Sequence, residues 1–349
     1  MRFYNQPHRF YAGIDLHART LFVCVLDQDG QIRFHENLAA KTDQLLAALE
    51  PFREDLVVAC ECMFAWYWVA DLCATHKIDF VLGHALFMKA IHGGKTKNDK
   101  IDAHKIATLL RGGALPQAYV YPKGMRETRD LLRRRSFFVR QRAHLIGHVQ
   151  NTASQYQLDP FAKKLTFAAN REELDIPKRF DDPSVRRAVA ADLALVDAYD
   201  EQIGALELHL TRTAKIDDPQ AYHRLRSVPG IGPVLGLVLL YEIHDIRRFA
   251  SPGRFLSYAR LVKGSHESAG KKKGSPGKKM GNAHLKWAFS EAACLLVRHS
   301  DKAKRWLERN TKKRGKARAL AILSAKLGRT VWHLLMKKEV FDESRVFGK

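Results

Sequence analysis

Two carboxylates stand three residues apart in the stretch KTKNDKIDAH, which covers residues 95–104. This stretch contains the start of a predicted helix, because apolar residues recur at helical spacing within it and after it (Ile101, Ile106, Leu109 and Leu110). Residues three apart share one helix face, so Asp99 and Asp102 can both point at one divalent cation. A helix start also favours acidic residues by itself, so a solvated, dipole-matched helix cap is the alternative.

The same stretch is rich in lysine. Lys95, Lys97 and Lys100 surround the two carboxylates, and they would either neutralise them or meet a phosphate chain. We therefore take Lys97 and Lys100 as candidate nucleic-acid contacts, and a solvated charged surface is again the alternative.

Strand and helix patterns alternate in the first third of the chain. The predicted strands are Tyr11–Leu16, Leu21–Leu26, Gln31–His35, Leu56–Cys60 and Ile78–Leu82, with helices near Leu45–Leu49 and from about Phe64 to His76. This order predicts an α/β domain with a mixed sheet over residues 1–120. Asp15 falls at the end of the first strand and Glu61 directly follows the fourth. Because functional groups gather at strand ends in such sheets, we expect Asp15, Glu61, Asp99 and Asp102 to converge.

Four converging carboxylates would repel each other by several kcal/mol unless a cation compensates their charge. Mg²⁺ held by a few carboxylates and by phosphate oxygens is the usual solution, and Mn²⁺ is a substitute for it. We therefore take Asp15, Glu61, Asp99 and Asp102 as candidate metal ligands and catalytic residues.

Positive charge is concentrated at the other end of the chain. The 349 residues carry a formal net charge of +22. Residues 1–120 are neutral, residues 121–215 carry +4 and residues 216–349 carry +18. A neutral acid-bearing front and a strongly basic rear predict that the chemistry belongs to one domain and that polyanion capture belongs to another.

Cysteine usage and hydropathy bear on the compartment. No pairs of cysteines have the spacing of a metal-binding motif, so we predict that the five cysteines are reduced thiols (Cys24, Cys60, Cys62, Cys73 and Cys294). The longest apolar run, Val234–Tyr241, is too short to span a bilayer, and the first residues show no signal-length apolar run. We expect a soluble cytoplasmic protein without a membrane partner.

Residues 121–215 have a helical pattern. Apolar positions recur at three-, four- and seven-residue spacing in two long segments, one from Leu131 to Val149 and one from Leu193 to Leu210. Two long helices joined by the looser segment 158–183 predict a coiled-coil arm. A bundle that packs on itself within one monomer is an equally good reading.

Residues 216–349 predict an all-α domain for nucleic-acid binding. Gly230-Ile231-Gly232 lies between apolar helices and resembles a helix-hairpin-helix, in which backbone N–H groups meet a phosphate. A simple packed helical hairpin is the alternative. The whole chain is thus predicted to be α/β plus all-α.

A serine-, glycine- and lysine-rich loop follows this hairpin. Ser265, Ser268 and Ser275 are hydroxyl nucleophile candidates within a dense field of ammonium groups (Lys271, Lys272, Lys273, Lys278 and Lys279). Such cations would attract DNA and stabilise the charge on an attacked phosphate. Asn282 and Lys286, at the start of the next helix, are further candidate contacts. A basic loop that merely grips the nucleic-acid backbone is the alternative.

Two groups of motifs together resemble one protein family. Gly13-Ile14-Asp15, Glu61 after a strand and residues 97–103 (KNDKIDA) are similar to the DEDD nuclease-like domain of the "one-ten" family of insertion-sequence recombinases. Residues 260–263 (RLVK), 267–271 (ESAGK) and 281–288 (GNAHLKWA) are similar to the C-terminal transposase domain of the same family. The resemblance covers almost the whole chain.

The resemblance implies a fold, an activity and partners. The first domain is expected to have the RNase H-like fold of RuvC resolvase, with a metal held by its four acids. A serine of the loop is the recombination nucleophile in this family, and it maps onto Ser268. Many members have Ser-Gly where this chain has Ser268-Ala269-Gly270, so Ser265 stays open as the aligned residue.

The resemblance also implies an element-encoded bridge RNA that chooses target and donor DNA by base pairing. A protein whose guide RNA selects the sequence needs a cationic surface more than base-reading side chains, and the net positive charge agrees with this. The same charge would also suit an enzyme that binds DNA alone. We expect a dimer or tetramer associated with the nucleoid of a prokaryotic cell.

Two other function classes remain open from the residues alone. A RuvC-like nuclease would hydrolyse DNA with the four acids and would form no protein adduct. A basic nucleic-acid-binding protein with a degenerate nuclease fold would need neither the acids nor the serine.

Overall fold

The computed structural model describes residues 2–91, 98–213, 218–264, 267–272 and 280–348, and it describes residues 213, 267, 268 and 272 by their backbone alone. Internal contacts divide the chain into two units, residues 1–123 and residues 124–349. The predicted boundary near residue 215, between a central helical region and a C-terminal domain, stays a prediction.

The first unit contains a five-stranded mixed sheet in the order β3-β2-β1-β4-β5. Its strands are β1 (Phe10–Leu16), β2 (Thr20–Asp27), β3 (Ile32–Ala39), β4 (Leu56–Glu61) and β5 (Asp79–Gly83). Its helices are α1 (Thr42–Leu49), α2 (Trp66–Thr75), α3 (Ala85–Ile91) and α4 (Asp99–Arg111). β1 pairs antiparallel with β2 and parallel with β4, and β4 pairs parallel with β5. The predicted mixed α/β sheet is confirmed, and α3 is an addition to the predicted order.

Apolar residues bury both faces of the central strands. β4 (LVVACE) is an almost continuous apolar run, as expected for a strand covered on both sides. On one face, Val58 and Cys60 join a core that includes residues of α1 and α2. On the other face, Val57 and Ala59 join residues of α4 such as Ile106.

Small residues let α4 lie very close to β1. A Cβ atom on Gly13 would collide with the backbone of Ala103 and Ala107, which are themselves fully buried. Glycine on the strand and alanine on the helix therefore set the helix directly against the sheet. This close approach carries the first turn of α4 to the carboxyl end of β1.

Over its described residues, the second unit is helical apart from one short hairpin. Its helices are α5 (Arg126–Gln155), α6 (Ala168–Leu174), α7 (Pro183–Thr213), α8 (Pro219–Arg226), α9 (Pro233–Ile243), α10 (Pro252–Tyr258), α11 (Ala283–His299), α12 (Asp301–Arg314), α13 (Lys316–Lys337) and α14 (Glu343–Phe347). The hairpin consists of β6 (Glu267–Ser268) and β7 (Lys271–Lys272).

The two predicted long helices are α5 and α7, and they pack against each other in antiparallel directions. Ion pairs advance along α5 while they retreat along α7, as the pairs Arg135–Glu207, Arg142–Asp200 and His148–Asp192 show. At one end Leu132 and Leu210 join the C-terminal core, and at the other end Val149 and Val196 form a separate small core with the segment between the helices. The coiled-coil arm itself stays a prediction.

Apolar residues of α9, α11 and α13 form the main core of the second unit; Leu239, Tyr241, Phe289 and Leu327 are among its buried members. Within the described ranges, no helix combines the length and the apolar character that crossing a bilayer requires.

Candidate metal centre and serine loop

The ends of two neighbouring strands place Asp15 and Glu61. Gly13 of β1 pairs in parallel register with Ala59 of β4, so Asp15 and Glu61, each two residues further along, occupy adjacent positions on the same face of the sheet. Neighbouring strands lie about 4.8 Å apart. This face is the one that α4 covers, and both carboxylates therefore lie at the strand ends nearest the first turn of that helix.

The first turn of α4 supplies two more carboxylates. The Asn98 side chain caps the helix by accepting a hydrogen bond from the Ile101 backbone N–H at 2.8 Å. This cap fixes the helix start, so Asp99 and Asp102 share a face as the sequence predicts. Lys105 Nζ lies 3.2 Å from Asp102 Oδ1, which makes Asp102 the partly neutralised member of the pair.

A histidine stands between the strand end and the helix start. His17 Nε2 lies 3.4 Å from Asp15 Oδ2 and 3.3 Å from Asp99 Oδ1. One ligand-type atom from each of Asp15, His17 and Asp99 lies within 4.8 Å of the other two. The site is graded in exposure, because the Asp15 side chain is 17% exposed whereas that of Asp99 is 56% exposed.

The pKa of Asp15 reflects its burial and the acids around it. Burial raises the pKa of Asp15, the negative charges of Asp99 and Asp102 raise it further, and His17 acts to lower it. A carboxyl group with a raised pKa is one whose negative charge is under-compensated. A divalent cation would supply the missing positive charge, so the donor set of carboxylates and an imidazole suits a metal ion.

The lysines predicted to bind nucleic acid are only partly within the described residues. Lys100, Lys271 and Lys286 are exposed to solvent. Lys97, Lys273, Lys278 and Lys279 lie outside the described residues, as does Ser265, and Lys272 is described by its backbone alone. The three described side chains are thus free of burial, as a phosphate contact requires.

Ser268 lies on a two-residue hairpin within the serine loop, which we define as residues 261–280. Ser268 of β6 pairs with Lys271 of β7 across a turn formed by Ala269 and Gly270. Both turn residues have positive φ values, 51° and 73°, which is the signature of a tight type I′ turn. Alanine is strained at such a position and glycine is not.

Hydrogen bonds close the base of the serine loop. The Asn282 backbone N–H donates to Tyr258 O at 2.6 Å, and Arg260 Nε donates to Gly281 O at 2.9 Å. Gly281 has a φ of 88°, and a Cβ atom there would collide with Tyr258 O. The two chain ends of the loop are therefore held together where they leave the core.

A buried carboxylate anchors this base. Glu242 accepts hydrogen bonds from Arg129 Nε at 3.1 Å, from Arg133 Nε at 2.7 Å and from Asn282 Nδ2 at 2.7 Å. We call these four residues the Glu242 cluster. Burial acts to raise the pKa of Glu242, but the hydrogen bond from Arg133 and the charges of both arginines outweigh it and lower the pKa to about 2.

The side chain of Asn282, a predicted nucleic-acid contact, lies in the protein core. Its side chain is buried: Oδ1 caps α11 by accepting from the His284 and Leu285 N–H groups, and Nδ2 donates to Glu242. Both ends of the amide thus have partners within the protein, and the contact with nucleic acid stays a prediction.

Gly230 and Gly232 differ in their surroundings. Gly230 has a φ of 87° and packs against α11, since a Cβ atom would lie 2.7 Å from Leu295 Cβ. Gly232 is the N-cap of α9, and a Cβ atom there would meet nothing within 4 Å. Gly230 therefore has a packing role, whereas Gly232 borders open space.

Sequence reasoning missed two residues of these sites. His17 follows Asp15 by two positions, just beyond the end of β1, and a metal-binding residue type so close to a candidate ligand was a usable signal. Glu242 is a charged residue at the end of the apolar run of α9, and a charge in such a run indicates a buried ion pair.

Comparison with known proteins identifies both units. Residues 12–157 match the model of the DEDD transposase of IS110 elements, and residues 222–308 match that of the transposase IS116/IS110/IS902 family. The chain is 24% identical to the transposase for insertion sequence element IS1111A of Coxiella burnetii, over 94% of this chain and 90% of that protein. It is 25% identical to a probable family 20 transposase of Pseudomonas aeruginosa, over 94% of this chain and 97% of that protein.

The two matched segments come in the order that the resemblance requires, and together they cover more than half of the chain. The carboxylates of β1, β4 and α4 fall within the first segment, and Ser268 falls within the second. This chain belongs to the IS116/IS110/IS902 family and is an insertion-sequence transposase.

Proposed function

We propose that this transposase is a site-specific recombinase that cleaves and rejoins DNA through a covalent bond to Ser268, with a divalent cation held by Asp15, Glu61, Asp99 and Asp102. The observation that carries the metal site is the proximity of the Asp15 and Asp99 carboxylates together with the raised pKa of Asp15. Acids crowded together at a strand end and at the start of a neighbouring helix are what a cation site in such a fold requires.

The proposed chemistry is phosphoryl transfer to a hydroxyl. Ser268 Oγ forms a bond to phosphorus and gives up its proton, the bond from phosphorus to one deoxyribose oxygen breaks, and that oxygen takes up a proton. When Mg²⁺ or Mn²⁺ is bound, it acts as a Lewis acid that stabilises charge on phosphate oxygens. A serine hydroxyl is a weak nucleophile near neutral pH, so this activation is needed. Attack by the hydroxyl of a second strand reverses the step and completes strand exchange.

The cations around Ser268 would hold the DNA backbone. Lys271, Lys272, Lys273, Lys278 and Lys279 follow the serine within eleven residues, and Lys97, Lys100 and Lys286 add positive charge elsewhere. Gly232, at the exposed start of α9, is the part of the proposed helix-hairpin-helix open to a phosphate. These contacts would weaken as salt concentration rises, because they release counterions.

A structured guide RNA is the proposed source of sequence specificity. The +18 charge of residues 216–349 is what supports it, since backbone binding needs cations and base pairing supplies the selectivity. A discrete RNA should copurify with the expressed protein, and ribonuclease treatment should abolish target choice. A fully active, ribonuclease-insensitive preparation would contradict RNA guidance.

The recombination of two DNA sites calls for more than one active site, so we propose a dimer or a tetramer. The α5–α7 pair exposes Phe137, Leu195 and Leu208, which suits an arm that contacts a second subunit. Replacing all three by serine should shift the protein towards monomer in sedimentation. An unchanged mass would favour helices that pack only within the monomer.

The metal proposal is tested by strand cleavage on DNA that carries the element's ends. Asp99→Asn keeps the size of the side chain and removes one charge, so cleavage should be lost while folding is kept. Asp43→Asn, on exposed α1, is the matched control and should cleave normally. Full cleavage by Asp99→Asn would contradict the proposed metal site.

A further inference from the structure

The imidazole of His17 is shared between two acids. Its Nε2 atom faces two carboxylate oxygens, at 3.4 Å and 3.3 Å, and both separations exceed the roughly 2.7–3.2 Å of a normal N–H···O bond. Nε2 carries at most one hydrogen, so it cannot make two good bonds at once. The imidazole is centred between Asp15 and Asp99 rather than bonded closely to either.

These separations match the spacing of ligands around one cation. Two donors bound about 2.1 Å from a metal ion lie roughly 3.0–3.4 Å apart in octahedral or tetrahedral geometry. Nε2 stands at that spacing from one oxygen of Asp15 and from one oxygen of Asp99. All three atoms lie within 4.8 Å of one another, so one cation placed among them would be within reach of each.

Other histidines near the site are engaged elsewhere. His35 Nε2 lies 2.9 Å from the Lys100 carbonyl oxygen, and the His35 ring lies 6.1 Å from that of His104. Among the described residues, His17 alone joins two acids in a group with ligand spacing.

We propose that His17 is a nitrogen ligand of the cation held by Asp15 and Asp99, and that it gives the site a preference for Mn²⁺ over Mg²⁺. This inference rests on the metal site of the proposed function. Mg²⁺ is a hard cation that takes oxygen ligands and keeps its waters, whereas first-row transition ions accept imidazole. A mixed set of oxygen and nitrogen donors therefore strengthens Mn²⁺ binding more than Mg²⁺ binding.

Manganese itself provides a direct readout. The full-length protein is titrated with Mn²⁺ and followed by electron paramagnetic resonance, which counts free ions, and pulsed measurements then detect ¹⁴N coupled to the bound ion. The wild type should show ¹⁴N coupling. His17→Gln should lose the coupling and should bind Mn²⁺ at least about tenfold more weakly. Substitution of residues that only hydrogen-bond to metal ligands already weakens metal binding by about this factor. The affinity of His17→Gln for Mg²⁺ should change less.

Two further variants separate the possible failures. His144→Gln, exposed on α5 in the other unit, should keep both the affinity and the coupling. Asp15→Asn combined with Asp99→Asn should abolish binding. If the wild type binds no Mn²⁺, the metal site of the proposed function is contradicted. If it binds Mn²⁺ without ¹⁴N coupling, or if His17→Gln binds more tightly, His17 is no ligand and the inference fails while the acidic site stands.

Discussion

The molecule contains two clusters of carboxylate groups that are built in opposite ways. Asp15, Asp99 and Asp102 lie near one another, and the pKa of Asp15 is raised by burial and by its acidic neighbours. Glu242 is a single acid surrounded by two arginines and an amide, and its pKa is lowered to about 2 despite its burial. Several acids share the first cluster, whereas two arginines share the single acid of the second.

This difference separates a site for a ligand from an element of structure. A folded protein keeps crowded acids at a cost in stability, and a bound cation removes that cost. A buried carboxylate that is fully paired leaves nothing for a ligand, and it joins α5, α9 and α11 at the base of the serine loop. Substitutions at the two clusters should therefore have opposite signatures.

The largest effect is expected for Asp15→Asn. Strand cleavage should fall more than about 100-fold, since a preorganised charge in the site is lost. The melting temperature of the metal-free protein should stay the same or rise, because the substitution relieves repulsion and the burial of a charge. Cleavage assays and thermal unfolding measure both quantities. A variant that cleaves normally would remove the distinction between the clusters.

Glu242→Gln should have the reverse signature in stability. The substitution leaves Arg129 and Arg133 without the negative charge that they share in the core, and breaking a buried pair in this way costs about 3–5 kcal/mol. Urea unfolding at neutral pH measures the loss. Asp245→Asn is the control, because the Asp245–Arg247 pair lies at the surface and should contribute less than about 1 kcal/mol.

The pH dependence of stability should show the same contrast. The lowered pKa of Glu242 means that the unfolded chain binds its proton first, so this stabilisation is present above the ordinary value of 4.5 and is lost as pH falls towards 2. The loss amounts to about 3 kcal/mol. Asp15 acts in the opposite sense, because its raised pKa lets the folded protein take up the proton first. The free energy of unfolding, measured across this pH range, tests the effect. It should vary less steeply with pH in Glu242→Gln than in the wild type.

A smaller effect is expected where α4 meets β1. In Gly13→Ala the new Cβ atom would collide with the α4 backbone, so the helix must shift, at about 1–3 kcal/mol. Cleavage should fall as well, because Asp99 and Asp102 move with the helix. Gly204→Ala in α7, where nothing lies within 4 Å, is the control and should stabilise the protein by about 1 kcal/mol.

The sequence predicts the strands and acids of the first unit because their signals are local. Strand ends mark Asp15 and Glu61, and helical spacing marks Asp99 and Asp102. In the Glu242 cluster, both arginines lie more than a hundred positions from Glu242 in the chain, and no sequence periodicity indicates such contacts. Asn282 illustrates the limit: its position before a helix is visible in the sequence, whereas its hydrogen bond to Glu242 depends on tertiary packing.

Covalent trapping on DNA with the element's ends tests the central claim most directly. We expect a protein–DNA adduct that maps to Ser268 by mass spectrometry, forms with Mg²⁺ or Mn²⁺, and is absent with a chelator, with Ser268→Ala and with Asp99→Asn. DNA cleaved to free ends by the wild type and by Ser268→Ala, without any adduct, would contradict the account and would identify a metal-dependent nuclease instead.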